Sequence, residues 1–256
     1  MTGKLLITGD SFSYTGLFDN DRAWPNQIAN KLNFKLINAS LVGCSQDFIC
    51  QAILDHIPVI TPDDQLIVVL TGPNRIWLFE DAPTLTHPWA GDLETIVGKD
   101  RALAAKLYFK HIQRPQLDTM HVMFRLAWLN HLTVMNNWRK PLVILGFSQD
   151  LGNFSNYPNL IFSNGNLTEH VTIEEQTNPN ENLFNGYDPR YNHMCLSNHD
   201  ILVEKIYQTL TLGSPLDLTY GFNKRLLSKQ TLQDKSLADK ELCLEAFNVY
   251  NVNNRR

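Results

Sequence analysis

The sequence predicts an α/β fold: a three-layer α/β/α sandwich on a mostly parallel sheet of about five strands, followed by a C-terminal extension. Two patterns and the composition predict it. Short apolar runs at 5–8, 35–37, 66–71 and 142–145 alternate with longer helix-like stretches. Such β-α-β alternation implies parallel strands joined by right-handed crossovers. The fourth run, Leu142-Val143-Ile144-Leu145, is continuously apolar, as in a strand covered on both faces. The chain has 256 residues, 43% of them hydrophobic and 19% charged, enough for one well-buried core.

The first strand, 5–8, leads directly into Gly9-Asp10-Ser11. A helix is predicted over 23–32, with Pro25 suited to its first turn. The second strand ends at Asn38. A helix over 45–56 places Phe48, Ile49, Ala52 and Ile53 on one face. The third strand occupies 66–71. Two helical stretches follow, 100–113 and 118–139, separated at Pro115. In the second, Met120, Met123, Phe124, Ala127, Trp128, His131, Val134, Met135 and Trp138 recur at three- and four-residue spacing, a stripe expected to face the core. His131, lying on that stripe, is expected to be a hydrogen-bonded core histidine. The fourth strand is 142–145, a short fifth is expected at 160–162, and an amphipathic helix at 197–210. The main domain is placed at 1–212 and the extension at 213–256. Leu237, Leu242, Leu244, Ala246 and Phe247 of the extension are expected to fold back on the domain or to dock on a second copy or an assembly partner.

The formal net charge of −4 gives no reason to expect nucleic acid or an anionic membrane as partner. No apolar run approaches the ~20 residues of a membrane span. The first residues run straight into a strand, without the apolar segment of a secretory signal, so a cytoplasmic location is expected. Cys44, Cys50, Cys195 and Cys243 lack paired metal-ligand spacing and are expected to be free thiols. No metal and no organic cofactor are expected. Asn-x-Ser/Thr matches at Asn38, Asn153 and Asn166 carry little weight without a secretory signal.

Four segments carry residue types that nucleophilic catalysis requires. Ser11 sits at the carboxyl end of a strand, where open α/β sheets place their ligands, and Gly9 allows the tight turn. Gly43, between the second strand and the next helix, lets a backbone N–H face a ligand. Asn74, in Gly72-Pro73-Asn74 after the third strand, can aim its amide into the same crevice. His193, in the loop before the last helix, is of the residue type that takes a proton from serine near neutral pH. Two competing signals are weaker. Gly146-Phe147-Ser148-Gln149-Asp150 lacks the final glycine of a nucleophile elbow, so Ser148 is read as a loop residue at the pocket rim. No Gly-x-Gly-x-x-Gly follows the first strand to cradle a dinucleotide.

The order and spacing of these segments resemble the SGNH hydrolase superfamily, the GDSL-type esterases and lipases, over roughly residues 4–211. The resemblance implies Ser11 as nucleophile, an oxyanion hole built from the N–H groups of Ser11 and Gly43 with the Asn74 amide, and His193 as base. The family usually has an aspartate three residues before the histidine, where this chain has Arg190; Asp188 is the nearby carboxylate that can orient His193. Arg75 replaces the acid that often follows the asparagine. His199, inside the predicted helix, has a structural role in this reading. Asp10 is expected to brace the serine loop and, with Arg75, Trp77 and Trp89, stands among the side chains expected to meet substrate. The segment 78–99, with Phe79, His87 and Trp89, and the polar insertion 164–187 are expected at the pocket wall and rim. The implied activity is hydrolysis of a small-molecule or glycan ester, with an O-acetyl group on a carbohydrate favoured. A structural or adaptor subunit that retains the fold, in a virion or another assembly, is the alternative that Arg190 favours.

Overall fold

The computed structural model describes residues 3–15, 20–77, 94, 98–149, 151, 153–170, 194 and 196–222. Strands β1 (Lys4–Thr8), β2 (Lys35–Asn38), β3 (Gln65–Leu70), β4 (Leu142–Leu145) and β5 (Ile161–Asn166) form a sheet ordered β2-β1-β3-β4-β5. Every neighbouring pair is parallel. The fold is therefore the doubly wound α/β sandwich expected from the alternation of runs. The order reverses between β1 and β3, and in such sheets ligands bind beyond the carboxyl ends of the strands at that point. Register brings those ends level: Thr8 pairs with Val68, Ile7 with Asn38, and Leu70 with Leu145.

The sheet is buried on both faces, and the strand period of two divides its side chains between two cores. Leu5, Ile7, Ile67, Val69, Leu142 and Ile144 pack with Trp24, Ile28, Leu202 and Ile206. These come from helices α1 (Trp24–Leu32) and α5 (Leu196–Leu212). Leu6, Leu66, Val68, Leu70, Val143 and Leu145 pack on the opposite face with Ile49, Ile53, Val122, Leu126 and Leu129. These come from α2 (Gln46–His56) and α4 (Pro115–Met135), and α3 (Lys99–His111) precedes α4. Ser45 caps α2, its side chain accepting the Phe48 N–H. Among the described residues, no helix is long and apolar enough to cross a membrane.

Three expectations change. Helix α4 begins at Pro115, whose missing N–H costs nothing in a first turn, and stops at Met135 because Asn137 takes a left-handed φ of 52°. Its core face is Val122, Leu126, Leu129 and Thr133, whereas Met120, Phe124, Val134 and Met135 of the expected stripe are exposed. His131 and Ala127 are exposed as well, so His131 is not a core histidine. Strand β5 runs on to Asn166, four residues past its expected end. Residues 216–218 fold back beside it: Asn164 donates its N–H to Leu216 at 2.8 Å and accepts that of Leu218 at 2.8 Å. Leu216 and Leu218 are fully buried in the core. Residues 223–256 lie outside the described ones, and with them the apolar side chains from Leu237 to Phe247.

Candidate active site

Backbone contact forces the first turn of the site. Gly9 passes so close to β3 that a Cβ there would stand 2.6 Å from Val69 Cβ and 2.9 Å from the Val69 carbonyl oxygen. After it the chain winds into a tight turn, the N–H groups of Ser13 and Tyr14 donating to the Asp10 carbonyl at 3.0 and 3.1 Å. Ser11 lies inside this turn and is 9% exposed. The Asp10 side chain accepts the Phe12 N–H at 3.1 Å, which locks the turn from within.

The turn is held from both sides. Toward α1, the Phe12 carbonyl accepts the Trp24 indole N–H at 2.7 Å. The Trp24 backbone N–H in turn donates to His199 Nδ1 on α5 at 3.1 Å. The N-cap residue of α1, Ala23, has no side chain to satisfy that helix-terminal donor, and His199 supplies the acceptor from another element. Toward β2, Asn38 Nδ2 donates to the Ser13 carbonyl at 2.7 Å and to Thr15 Oγ1 at 3.3 Å, while the Ser13 and Ser40 hydroxyls lie 2.8 Å apart. Sequence reading missed Ser13, Asn38 and Ser40; the one signal for them was polar side chains at strand ends.

The β2 loop is tied to the serine turn through Gly9, whose carbonyl accepts the Leu41 N–H at 2.9 Å and the Cys44 thiol at 3.2 Å. Between them Gly43 takes a φ of 70°, the left-handed conformation that glycine adopts at no steric cost. Burial and the nearby Asp10 charge push the Cys44 thiol well above its ordinary pKa, so it stays protonated. Cys44 and Cys50 are free thiols.

The β3 loop faces the same turn. Asp10 Oδ2 accepts the Thr71 hydroxyl at 3.0 Å and Arg75 Nη1 at 2.7 Å, and Arg75 also donates to Thr71 Oγ1. The Arg75 guanidinium lies over the Phe147 ring, 4.9 Å from its centroid, and Phe147 meets Phe12 edge-on at 5.7 Å. The Arg75 N–H closes the loop onto the Gly72 carbonyl at 3.1 Å. Asn74 is half-buried, with Oδ1 turned back over Gly72, 2.9 Å from where a Cβ there would sit. Trp77 is half-buried, its ring 6.0 Å from Phe48.

The loops that carry Ser11, Gly43 and Asn74 thus leave three adjacent strands at one end of the sheet. Asp10 and Arg75 are brought into direct contact. Asp10 is fully buried, and its carboxylate braces the loops through Phe12, Thr71 and Arg75. Ser148 is exposed. Asp188, His193 and Trp89 lie outside the described residues. Met194, which follows His193 in the chain, is buried in the cluster that contains Phe12 and Trp24.

No family model matches the sequence, and no curated protein matches it. Among solved structures, the crystal structure of TesA is similar to this chain at a TM-score of 0.43 and 15% identity, over 82% of this chain and 98% of that one.

Proposed function

We propose that this chain is a serine ester hydrolase of the SGNH kind, with Ser11 as nucleophile and His193 as base. One observation carries the reading: Ser11, Gly43 and Asn74 stand on the loops after β1, β2 and β3, which lie side by side where the strand order reverses. In such sheets that crevice is where ligands bind. Met194, the residue after His193 in the chain, is buried in the core that also holds Phe12 of the serine turn.

In this mechanism His193 takes the proton as Ser11 Oγ bonds to the ester carbonyl carbon. The N–H groups of Ser11 and Gly43 and the Asn74 amide hold the oxyanion, each donor contributing ~2.7–4 kcal/mol of transition-state stabilisation. His193 returns the proton to the leaving alcohol oxygen as its bond to the acyl carbon breaks. Water then repeats the sequence on the acyl-enzyme, releasing the carboxylic acid and free Ser11. Asp188 orients the imidazole in place of an aspartate at position 190. The favoured substrate is a small acyl ester such as an O-acetyl group on a carbohydrate. The site works without metal or organic cofactor. Cytoplasmic location, and assembly contacts through the C-terminal extension 213–256, belong to the same proposal.

Fluorophosphonate labelling tests it, with hydrolysis of p-nitrophenyl acetate and its longer homologues alongside. Labelling at Ser11 that disappears in Ser11→Ala, with turnover that falls as the acyl chain lengthens, supports a small-acyl esterase. An unlabelled wild type, with activity equal in both proteins, overturns it and leaves the structural-subunit reading that Arg190 favours.

A further inference from the structure

Beside Arg75 a pocket of about 390 Å³ opens between the β3 loop and helices α3 and α4. Its volume falls within the ~300–1,000 Å³ of small-molecule sites. Trp77, Tyr108 and Phe124 supply aromatic surface, and Asp118, His121 and Arg125 supply polar groups along one side of α4. We infer that this pocket is the subsite for a sugar ring on the alcohol side of the ester, an inference that rests on the hydrolase reading for its link to Ser11.

The chemistry of the lining selects among ligands. A long acyl chain needs an unbroken apolar wall, and Asp47, Asp118, His121 and Arg125 interrupt this one. An anionic head group needs an uncommitted cation. Arg125 already gives Nε and Nη2 to Asp47 Oδ1 at 3.0 and 2.6 Å, and Arg75 is paired with Asp10 at 2.7 Å. A sugar ring suits both halves of the lining. Its C–H faces lie against aromatic rings, and its hydroxyls exchange hydrogen bonds with side chains already fixed in place. Gln113 holds Asp118 through one carboxylate oxygen, and the Asp47–Arg125 pair holds the guanidinium fork. Arg75 lines the pocket and touches Asp10, the residue before Ser11, which ties the pocket wall to the serine turn.

Binding of xylobiose and cellobiose to the full chain, followed by calorimetry and saturation-transfer NMR, tests the assignment without turnover. Saturable binding is expected, with Kd raised about fivefold or more in Asp118→Asn and in Phe124→Ala, the worth of one hydrogen bond or one aromatic face. Phe124 is 64% exposed, so its loss leaves the core intact and a folding defect does not obscure the result. No saturable sugar binding by folded wild type, affinity unchanged in both variants, or octanoate binding that Phe124→Ala abolishes while sugars fail to bind, each overturns the subsite. Ser11 labelling separates the two readings. A labelled protein that ignores sugars loses only the subsite. An unlabelled protein that binds them here loses the hydrolase and keeps a sugar site.

Discussion

Arg75 Nη1 lies 2.7 Å from Asp10 Oδ2, and the aspartate it holds is fully buried. Asp10 precedes Ser11 and Arg75 follows Asn74, so one ion pair clamps the serine turn to the β3 loop. Thr71 bridges the two, and Phe147 backs the guanidinium.

Removing one partner leaves the other charge without its counter-ion. Arg75→Ala strands a buried carboxylate and is expected to cost about 3–5 kcal/mol in urea unfolding. Asp10→Asn combined with Arg75→Ala recovers part of that loss, because the stranded charge is gone. Arg75→Lys recovers only part, since Nη1 alone serves Asp10 and Thr71 but an ammonium lacks the planar face that stacks on Phe147. An Arg75→Ala protein within 1 kcal/mol of wild type rules out the clamp; that threshold is about the worth of an exposed pair.

The bond from Trp24 N–H to His199 Nδ1 makes His199 a positioning residue, acting on the serine turn through the indole that holds the Phe12 carbonyl. His199→Ala leaves a buried helix-terminal donor without its acceptor and is expected to cost about 1–3 kcal/mol. His199→Asn, whose Oδ1 can take the place of Nδ1, restores most of it. In the hydrolase reading kcat falls in His199→Ala, but the acid-side bend of kcat/KM, assigned there to His193, stays in place. Loss of that bend would make His199 the base and sink the positioning role.

The parts of the fold that could be read in the sequence are those where one local rule decides. Strands β1, β3 and β4 are apolar runs because both faces are covered, and Ser45 and Pro25 mark helix starts by capping and by fixed φ. The end of β5 was hidden by its polar sequence, Ser163 to Asn166. There side chains take over backbone partners: Ser163 Oγ accepts the Leu145 N–H at 3.0 Å, and Asn166 Oδ1 accepts the Glu169 N–H at 2.9 Å. In the site, Ser11, Gly43 and Asn74 stood out because strand ends are where chemistry collects. The Asp10–Arg75 pair joins residues 65 positions apart, and no pattern within one sequence pairs them.

Helix α4 shows the same limit and yields a third prediction. Apolar residues occur around most of its circumference, so the 3.6-residue period fits more than one face. Tertiary packing chooses Val122, Leu126 and Leu129. Leu126→Ala is therefore expected to cost about 2–5 kcal/mol in thermal or urea unfolding. Val134→Thr and Met135→Gln, on the exposed side, should stay within ~0.5 kcal/mol of wild type. The reverse ranking would turn the helix over.

Acid stability should depend on Asp64, at the opposite end of the sheet from Ser11. Its carboxylate joins the start of β1 to the turn before β3, accepting the Lys4 N–H at 2.6 Å, the Thr61 N–H at 2.7 Å and the Thr61 hydroxyl at 2.9 Å. Burial alone would raise its pKa, but these bonds and the Lys4 charge outweigh it and hold the carboxyl below its ordinary value. A folded pKa below the unfolded ~3.9 means the folded state binds this proton less readily. The stabilisation is therefore complete above pH ~4 and drains away as pH falls through the folded pKa. Asp64→Asn keeps the shape and loses the charge. It is expected to be about 1–2 kcal/mol less stable at pH 7 in urea, with the gap narrowing as pH falls below ~4 through the folded pKa. A gap of the same size at pH 7 and pH 2 would mean that the carboxylate's charge is not what ties the two strands together.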